Sequence, residues 1–116
     1  MELLEYQCLA LRTALPDRDT VLTAQDMKLV NASLGLSGEA GEFTDLVKKV
    51  ICHGHPYTMD IRERLIKELG DVLWYCARAA DALETTLDLV AVLNIDKLRQ
   101  RYPEGFSQER SLHRGD

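Results

Sequence analysis

Cysteine is scarce in this chain: Cys8, Cys52 and Cys76 lie far apart and form no CxxC. That excludes a disulfide framework and leaves free thiols, the state expected in a reducing compartment. Proline occurs only at 16, 56 and 103, so long stretches are free of helix breakers. No apolar run approaches the ~20 residues of a membrane span. The opening MELLEYQCLALRTAL carries acids and no basic stretch, so it does not read as a signal peptide. Basic residues are the minority, 14 against 19 acids, for a net charge of −5. With no basic tract or tail, neither a nucleic-acid polymer nor an anionic membrane is an expected partner. A cytoplasmic protein is the expectation.

The chain is 116 residues long, the size of one domain, and can form a core without disulfides. Apolar residues recur at helical spacing in four segments. The first covers roughly 2–15, through Leu4, Cys8, Leu11 and Leu15, and a loop, PDRDT, follows it. The second covers about 23–52, through Met27, Val30, Leu34, Phe43, Leu46, Val47 and Val50. Its glycine-rich SLGLSGEAGE implies either a kink or a helix restarting with Ser37 as cap. The turn CHGHPYT ends it. The third starts at DIRE, where Asp60 and Glu63 resemble a capping box. It continues through Ile61, Leu65, Leu69, Val72, Cys76, Ala79 and Leu83. The fourth starts near Thr85, runs through Leu87, Val90, Ala91, Asn94 and Leu98, and stops at RYPEGF. No β alternation is present. The expected fold is all-α, a four-helix bundle, with a helical domain over 1–107 and an irregular C-terminal tail over 108–116.

Two short stretches carry the chemistry. SGEAGEF places Glu39 and Glu42 three residues apart, and KELGDVLWY repeats the device with Glu68 and Asp71. An α-helix turns about 100° per residue. With Glu39 at zero, Val50 falls near ~20°, Phe43 near ~40° and Leu46 near ~−20°, so Glu39 lies within the apolar stripe. Glu42 sits at its edge, near ~−60°. Around Glu68, Ile61 and Ala79 fall near ~20° and Val72 near ~40°, while Asp71 lies at the edge near ~−60°. Each helix therefore carries one acid inward and one beside it. Such carboxylates must be paired, protonated or bound to a cation. Arg64 and Lys67, each four residues before an acid, could pair the second couple; no Lys or Arg lies one turn from the first. Four oxygen ligands suit Mg²⁺, with Mn²⁺ able to substitute, better than zinc. A di-iron bundle would want Glu-x-x-His, which is absent. Cys52, His53 and His55 offer too few ligands for a closed zinc site.

With these motifs in order (LGLSGEAGEFTDLVKK, HGH, KELGDVLWY and NIDKLRQRYPEGF), residues 5 to 107 resemble the MazG-like, all-α nucleoside triphosphate pyrophosphohydrolases. The ExxE and ExxD pairs of that family correspond to Glu39 and Glu42 and to Glu68 and Asp71. One departure is Gly38, where some members carry a further Glu. The resemblance implies Mg²⁺-dependent cleavage of an NTP or dNTP between its α and β phosphates, giving the monophosphate and pyrophosphate. It implies a homodimer or homotetramer, with active sites near the subunit contacts. Glu39 or Glu42 would orient the attacking water as general base, and the residues do not choose between them.

The resemblance also places an Asn-x-x-Lys at Asn94 and Lys97. Asn94 is then a contact to phosphate or base, and otherwise a core amide. Lys97 and Arg101, one turn apart, would meet the phosphate tail; the plain reading is a basic helix end. Lys49, with Lys48, lies about two turns past Glu42 and is a further candidate. Tyr75 falls on the side of the acids, near ~−20°, where it could pack on the nucleobase, whereas Trp74 points elsewhere. A different class of reading is a non-catalytic helical module binding nucleotide or protein. The intact acid quartet favours the enzyme.

Overall fold

Thr23 opens the longest helix of the protein. Its hydroxyl accepts from the Asp26 N–H at 3.0 Å, and its own N–H donates to Asp26 Oδ2 at 2.8 Å. This reciprocal cap satisfies two donors that a helix start leaves orphaned. The Thr23 backbone N–H first, and then the Thr23 side chain, hold the Asp26 carboxyl below its usual range. In this computed structural model, which describes residues 1–16 and 21–113, five helices follow in chain order. They are α1 (Leu3–Leu11), α2 (Ala24–Ile51), α3 (Met59–Ala82), α4 (Leu87–Arg101) and α5 (Gln108–Leu112). No helix is long and apolar enough to cross a membrane among the described residues. Most of the expected loop PDRDT and the last three residues of the expected tail lie outside the described residues.

The all-α expectation holds, with corrections at the helix ends. α2 runs unbroken for 28 residues, about 42 Å at 1.5 Å per residue. It neither restarts at Ser37 nor ends at its glycines. Gly35, Gly38 and Gly41 each cost about 1 kcal/mol of intrinsic propensity against alanine, and packing along α3 offsets that cost. The N-cap of α3 is Thr58, whose hydroxyl accepts from the Ile61 N–H at 3.2 Å. Asp60 lies instead inside the first turn, where its charge suits the helix dipole. α4 is capped by Thr86, one residue later than expected, through the Leu89 N–H at 3.2 Å. The segment expected as irregular carries α5, with the Ser107 hydroxyl accepting from the Arg110 N–H at 3.4 Å.

α2 and α3 form the body of the molecule, an antiparallel hairpin closed by the turn at 52–58. At its open end the Gln25 amide reaches the Ala82 carbonyl, and Lys28 pairs with Asp81 at 3.4 Å. Ala32, Leu46, Ala80 and Ala82 are the buried apolar residues. α4 touches α3 only lightly, and among the described residues neither α1 nor α5 packs extensively on another helix. The described residues of one chain therefore do not by themselves close a four-helix bundle. The radius of gyration is 20.1 Å, against about 13 Å for a compact chain of this length. The accessible surface is 9975 Å², about 3,600 Å² more than the roughly 6,400 Å² of a compact monomer of this mass. Much of the excess is apolar: Leu89, Val90, Val92, Leu93 and Ile95 of α4 are exposed, as are Leu3, Leu4, Tyr6 and Leu9 of α1.

Candidate metal centre

The antiparallel register sets the acids opposite one another. Glu39 and Glu42 are successive turns of α2, and Glu68 and Asp71 are successive turns of α3. Glu39, Glu42 and Glu68 each offer a carboxylate oxygen within 4.8 Å of the others. No other such group of three His, Cys, Asp or Glu side chains occurs among the described residues. Asp71 stands outside that trio, yet its charge still acts on Glu39. Glu39 and Glu68 are half-buried; Glu42 and Asp71 are exposed.

The electrostatics are those of an uncompensated anionic cluster. The Glu39 carboxyl is pushed above its usual range, first by desolvation and then by the charges of Glu42, Asp71 and Glu68. No ion pair to any of the four acids forms among the described residues. Lys49 bonds Asp45 at 2.7 Å, Lys48 bonds the same carboxylate at 3.3 Å, and Lys67 bonds Glu63 at 3.0 Å. Lys67 thus serves Glu63 and not Asp71. Closely set, hard oxygen donors without a protein cation fit Mg²⁺ or Mn²⁺.

A cleft of about 350 Å³ opens beside the trio, on the side of the 52–58 turn. Glu42 and Glu68 line it together with Asp45, Leu46, Lys49 and Arg64. Gly38 and Gly41 also line it, and a Cβ on either would meet only open space. The expected candidate Lys49 is thus brought to the acids. Two further groups join it. Asp45 is the third acid of an i, i+3, i+6 series with Glu39 and Glu42, a repeat legible in the sequence. Arg64 was legible there only as a partner for Glu68, which it does not bond.

The other expected residues are divided between the surroundings of the acids and the far end of α4. Lys97 and Arg101 line a separate cavity of about 600 Å³ between the end of α4 and α5, with Arg110 and His113. None of the four acids lines it. Asn94 is exposed on α4, not a core amide. Tyr75 is half-buried and lies against Gly35, one turn from Glu39. Trp74 is exposed, edge-on to Tyr75 at 4.8 Å between ring centres. His53 and His55 sit in the exposed turn with ring centres 6.2 Å apart.

Comparison with known proteins places these elements in a recognised context. The sequence profile of the MazG nucleotide pyrophosphohydrolase domain matches residues 30–106, a span holding the four acids, α3 and α4. The gene 37 protein of Mycobacterium phage L5 is 40% identical over 77 residues, covering 66% of this chain and 68% of the phage protein. No solved structure matches.

Proposed function

Since the chain belongs to the MazG nucleotide pyrophosphohydrolase family, we propose that it is a Mg²⁺-dependent hydrolase of nucleoside triphosphates. It cleaves an NTP or dNTP between the α and β phosphates, and water adds to the α phosphorus. The products are a nucleoside monophosphate and pyrophosphate. The observation that carries this reading is the convergence of Glu39, Glu42 and Glu68 from two helices beside an open cleft.

The chain's own residues divide the work. Glu39, Glu42 and Glu68 hold the cation, with Asp71 completing the set. When bound, Mg²⁺ neutralises triphosphate charge and polarises the phosphorus under attack, and Mn²⁺ would substitute. Glu39 or Glu42 orients the attacking water and accepts its proton. Lys49 meets phosphate oxygens in the cleft, and Tyr75 contacts the base. Asn94, Lys97 and Arg101 complete the substrate site through association of a second copy, as dimer or tetramer. The large uncovered apolar surface of α1 and α4 supports that association. A cytoplasmic setting suits such a substrate.

The test is pyrophosphate release from a panel of canonical and modified NTPs and dNTPs, with Mg²⁺, Mn²⁺ or EDTA. Metal-dependent release by the native protein, lost in Glu39→Gln, is the expected result. No release from any nucleotide by a folded, metal-loaded protein would overturn the assignment and favour a non-catalytic binding module.

A further inference from the structure

Gly35 lies one turn before Glu39 on α2, and Tyr75 one turn after Asp71 on α3. The two residues thus form the layer directly beside the acids, on the side away from the cleft. Their contact is closer than any side chain at position 35 would allow. A Cβ on Gly35 would overlap the ring atoms Cε1, Cζ and Cδ1 of Tyr75. The ring therefore takes the space a side chain would fill, against bare helix backbone. Trp74 meets it edge-on, with ring planes at 85°.

This layer differs from those on either side of it. Toward the open end of the hairpin, Ala32 and Ala80 are small and buried, so the helices approach closely. Toward the turn come the acids, which repel one another and would push the helices apart. Helix separation is set by the side chains at the contact, at about 8–10 Å. Oxygen ligands from two helices must meet a small cation within a few tenths of an ångström, since Mg²⁺ takes its donors at about 2.0–2.1 Å. A flat, stiff ring on a glycine fixes the spacing; a flexible side chain would not.

We propose that Gly35 and Tyr75 form a spacer that holds α2 and α3 at the separation at which Glu39, Glu42 and Glu68 share one cation. Tyr75 is then a positioning residue for the metal centre in addition to any contact with the base. The inference rests on reading the acids as a cation site. It adds that the geometry of that site is set one turn away, by groups that touch neither cation nor phosphate.

The test is calorimetric titration of Mn²⁺ into the nucleotide-free protein, with helical circular dichroism as the check on folding. Gly35→Ala should weaken Mn²⁺ binding roughly ten- to a hundredfold, the usual loss when a group that orients metal ligands is disturbed, with helicity retained. Tyr75→Phe should bind Mn²⁺ like the native protein, because the ring and not the hydroxyl is the spacer. Tyr75→Ala should lose affinity, and adding Gly35→Ala to it should cost nothing further. Should Gly35→Ala fail to fold, the contrast between Tyr75→Phe and Tyr75→Ala decides alone. Unchanged Mn²⁺ affinity in Tyr75→Ala, with only the nucleotide KM raised, would overturn the spacer and leave a base contact. Native protein that binds no Mn²⁺ would instead overturn the cation reading beneath it.

Discussion

Glu39 on α2 and Glu68 on α3 run in opposite chain directions, yet with Glu42 they bring carboxylate oxygens within 4.8 Å of one another. A helical hairpin does not tolerate three like charges at this distance for stability's sake. Replacing Glu39 by Gln removes one charge and keeps the shape. Metal-dependent pyrophosphate release should fall by roughly 10²-fold or more. In EDTA the variant should melt no lower than the native protein, because a repulsion has been relieved. Full activity with unchanged helical circular dichroism would remove Glu39 from the site.

The same cluster dictates a pH dependence. The Glu39 carboxyl is raised above its usual range in the folded protein, chiefly by desolvation and then by its acidic neighbours. The folded state therefore binds its proton more tightly than the unfolded chain does. The associated stability is fully present below the ordinary glutamate pKa of about 4.3. It is lost as pH rises through the raised folded value. Without divalent cation, stability should thus fall across that window. Mg²⁺ at 100 times its Kd should add about 2.7 kcal/mol at neutral pH, and acid should erase the gain as protons displace the cation. Melting curves with Mg²⁺ and with EDTA, from pH 7 to pH 4, should converge. Curves that stay parallel would show that the added cation binds elsewhere.

Gly41 presents a different balance. It lines the cleft beside Glu42, and a Cβ there meets nothing. Gly41→Ala should therefore stabilise the fold by up to about 1 kcal/mol, the helix-propensity difference. The new methyl would narrow the space beside the acids, so the nucleotide KM should rise while Mn²⁺ affinity stays the same. A stabilised variant with unaltered KM would mean that the triphosphate lies elsewhere.

The contrast between Gly41 and Gly35 marks what the sequence could and could not reveal. Both read simply as glycines in a glycine-rich stretch, and a kink or restart was the natural expectation. Whether a missing Cβ admits a ring or a ligand depends on the facing helix, which helical spacing does not specify. The acid quartet was legible because its phase against Phe43, Leu46 and Val72 is a one-helix property. The cap of α3 was read at Asp60 and lies at Thr58; both residue types cap helices well, and only backbone geometry separates them. Arg64 shows the same limit: its spacing from Glu68 suggested an ion pair, and the side chain lines the cleft without forming one. That the described residues of one chain do not close a four-helix bundle has a further reason. Apolar stripes state that a face must be covered and do not state by which copy.

Glu84 follows α3 in a left-handed conformation, φ +55°, where the Thr85 N–H donates to the Ala80 carbonyl at 2.9 Å. This is the position at which glycine usually ends a helix. A non-glycine residue there carries a strain of about 1–2 kcal/mol. Glu84→Gly should relieve part of it and raise the melting temperature by a few degrees, with activity unchanged since Glu84 lies beyond the C-terminal end of α3, more than three helical turns past Asp71. A lower melting temperature would show that the Glu84 side chain contributes more than its backbone costs.

The uncovered face of α4 gives the last prediction. Leu93 is 60% exposed, and Leu89, Val90 and Ile95 are exposed around it. The surface in excess of a compact chain, about 3,600 Å², is several times the roughly 800 Å² per partner of a standard interface. Covering a leucine of this kind on association stabilises by about 1.5–3 kcal/mol, so one charge placed among these residues should shift the equilibrium strongly. Leu93→Asp should sediment as a smaller species than the native protein at the same concentration. If Asn94, Lys97 and Arg101 reach the acids only across a subunit contact, activity should fall in step with the loss of assembly. Mn²⁺ binding, which needs only α2 and α3, should survive in the dissociated chain. A Leu93→Asp protein that stays assembled would move the contact to α1. One that dissociates and remains fully active would return the whole site to a single chain and remove Lys97 and Arg101 from it.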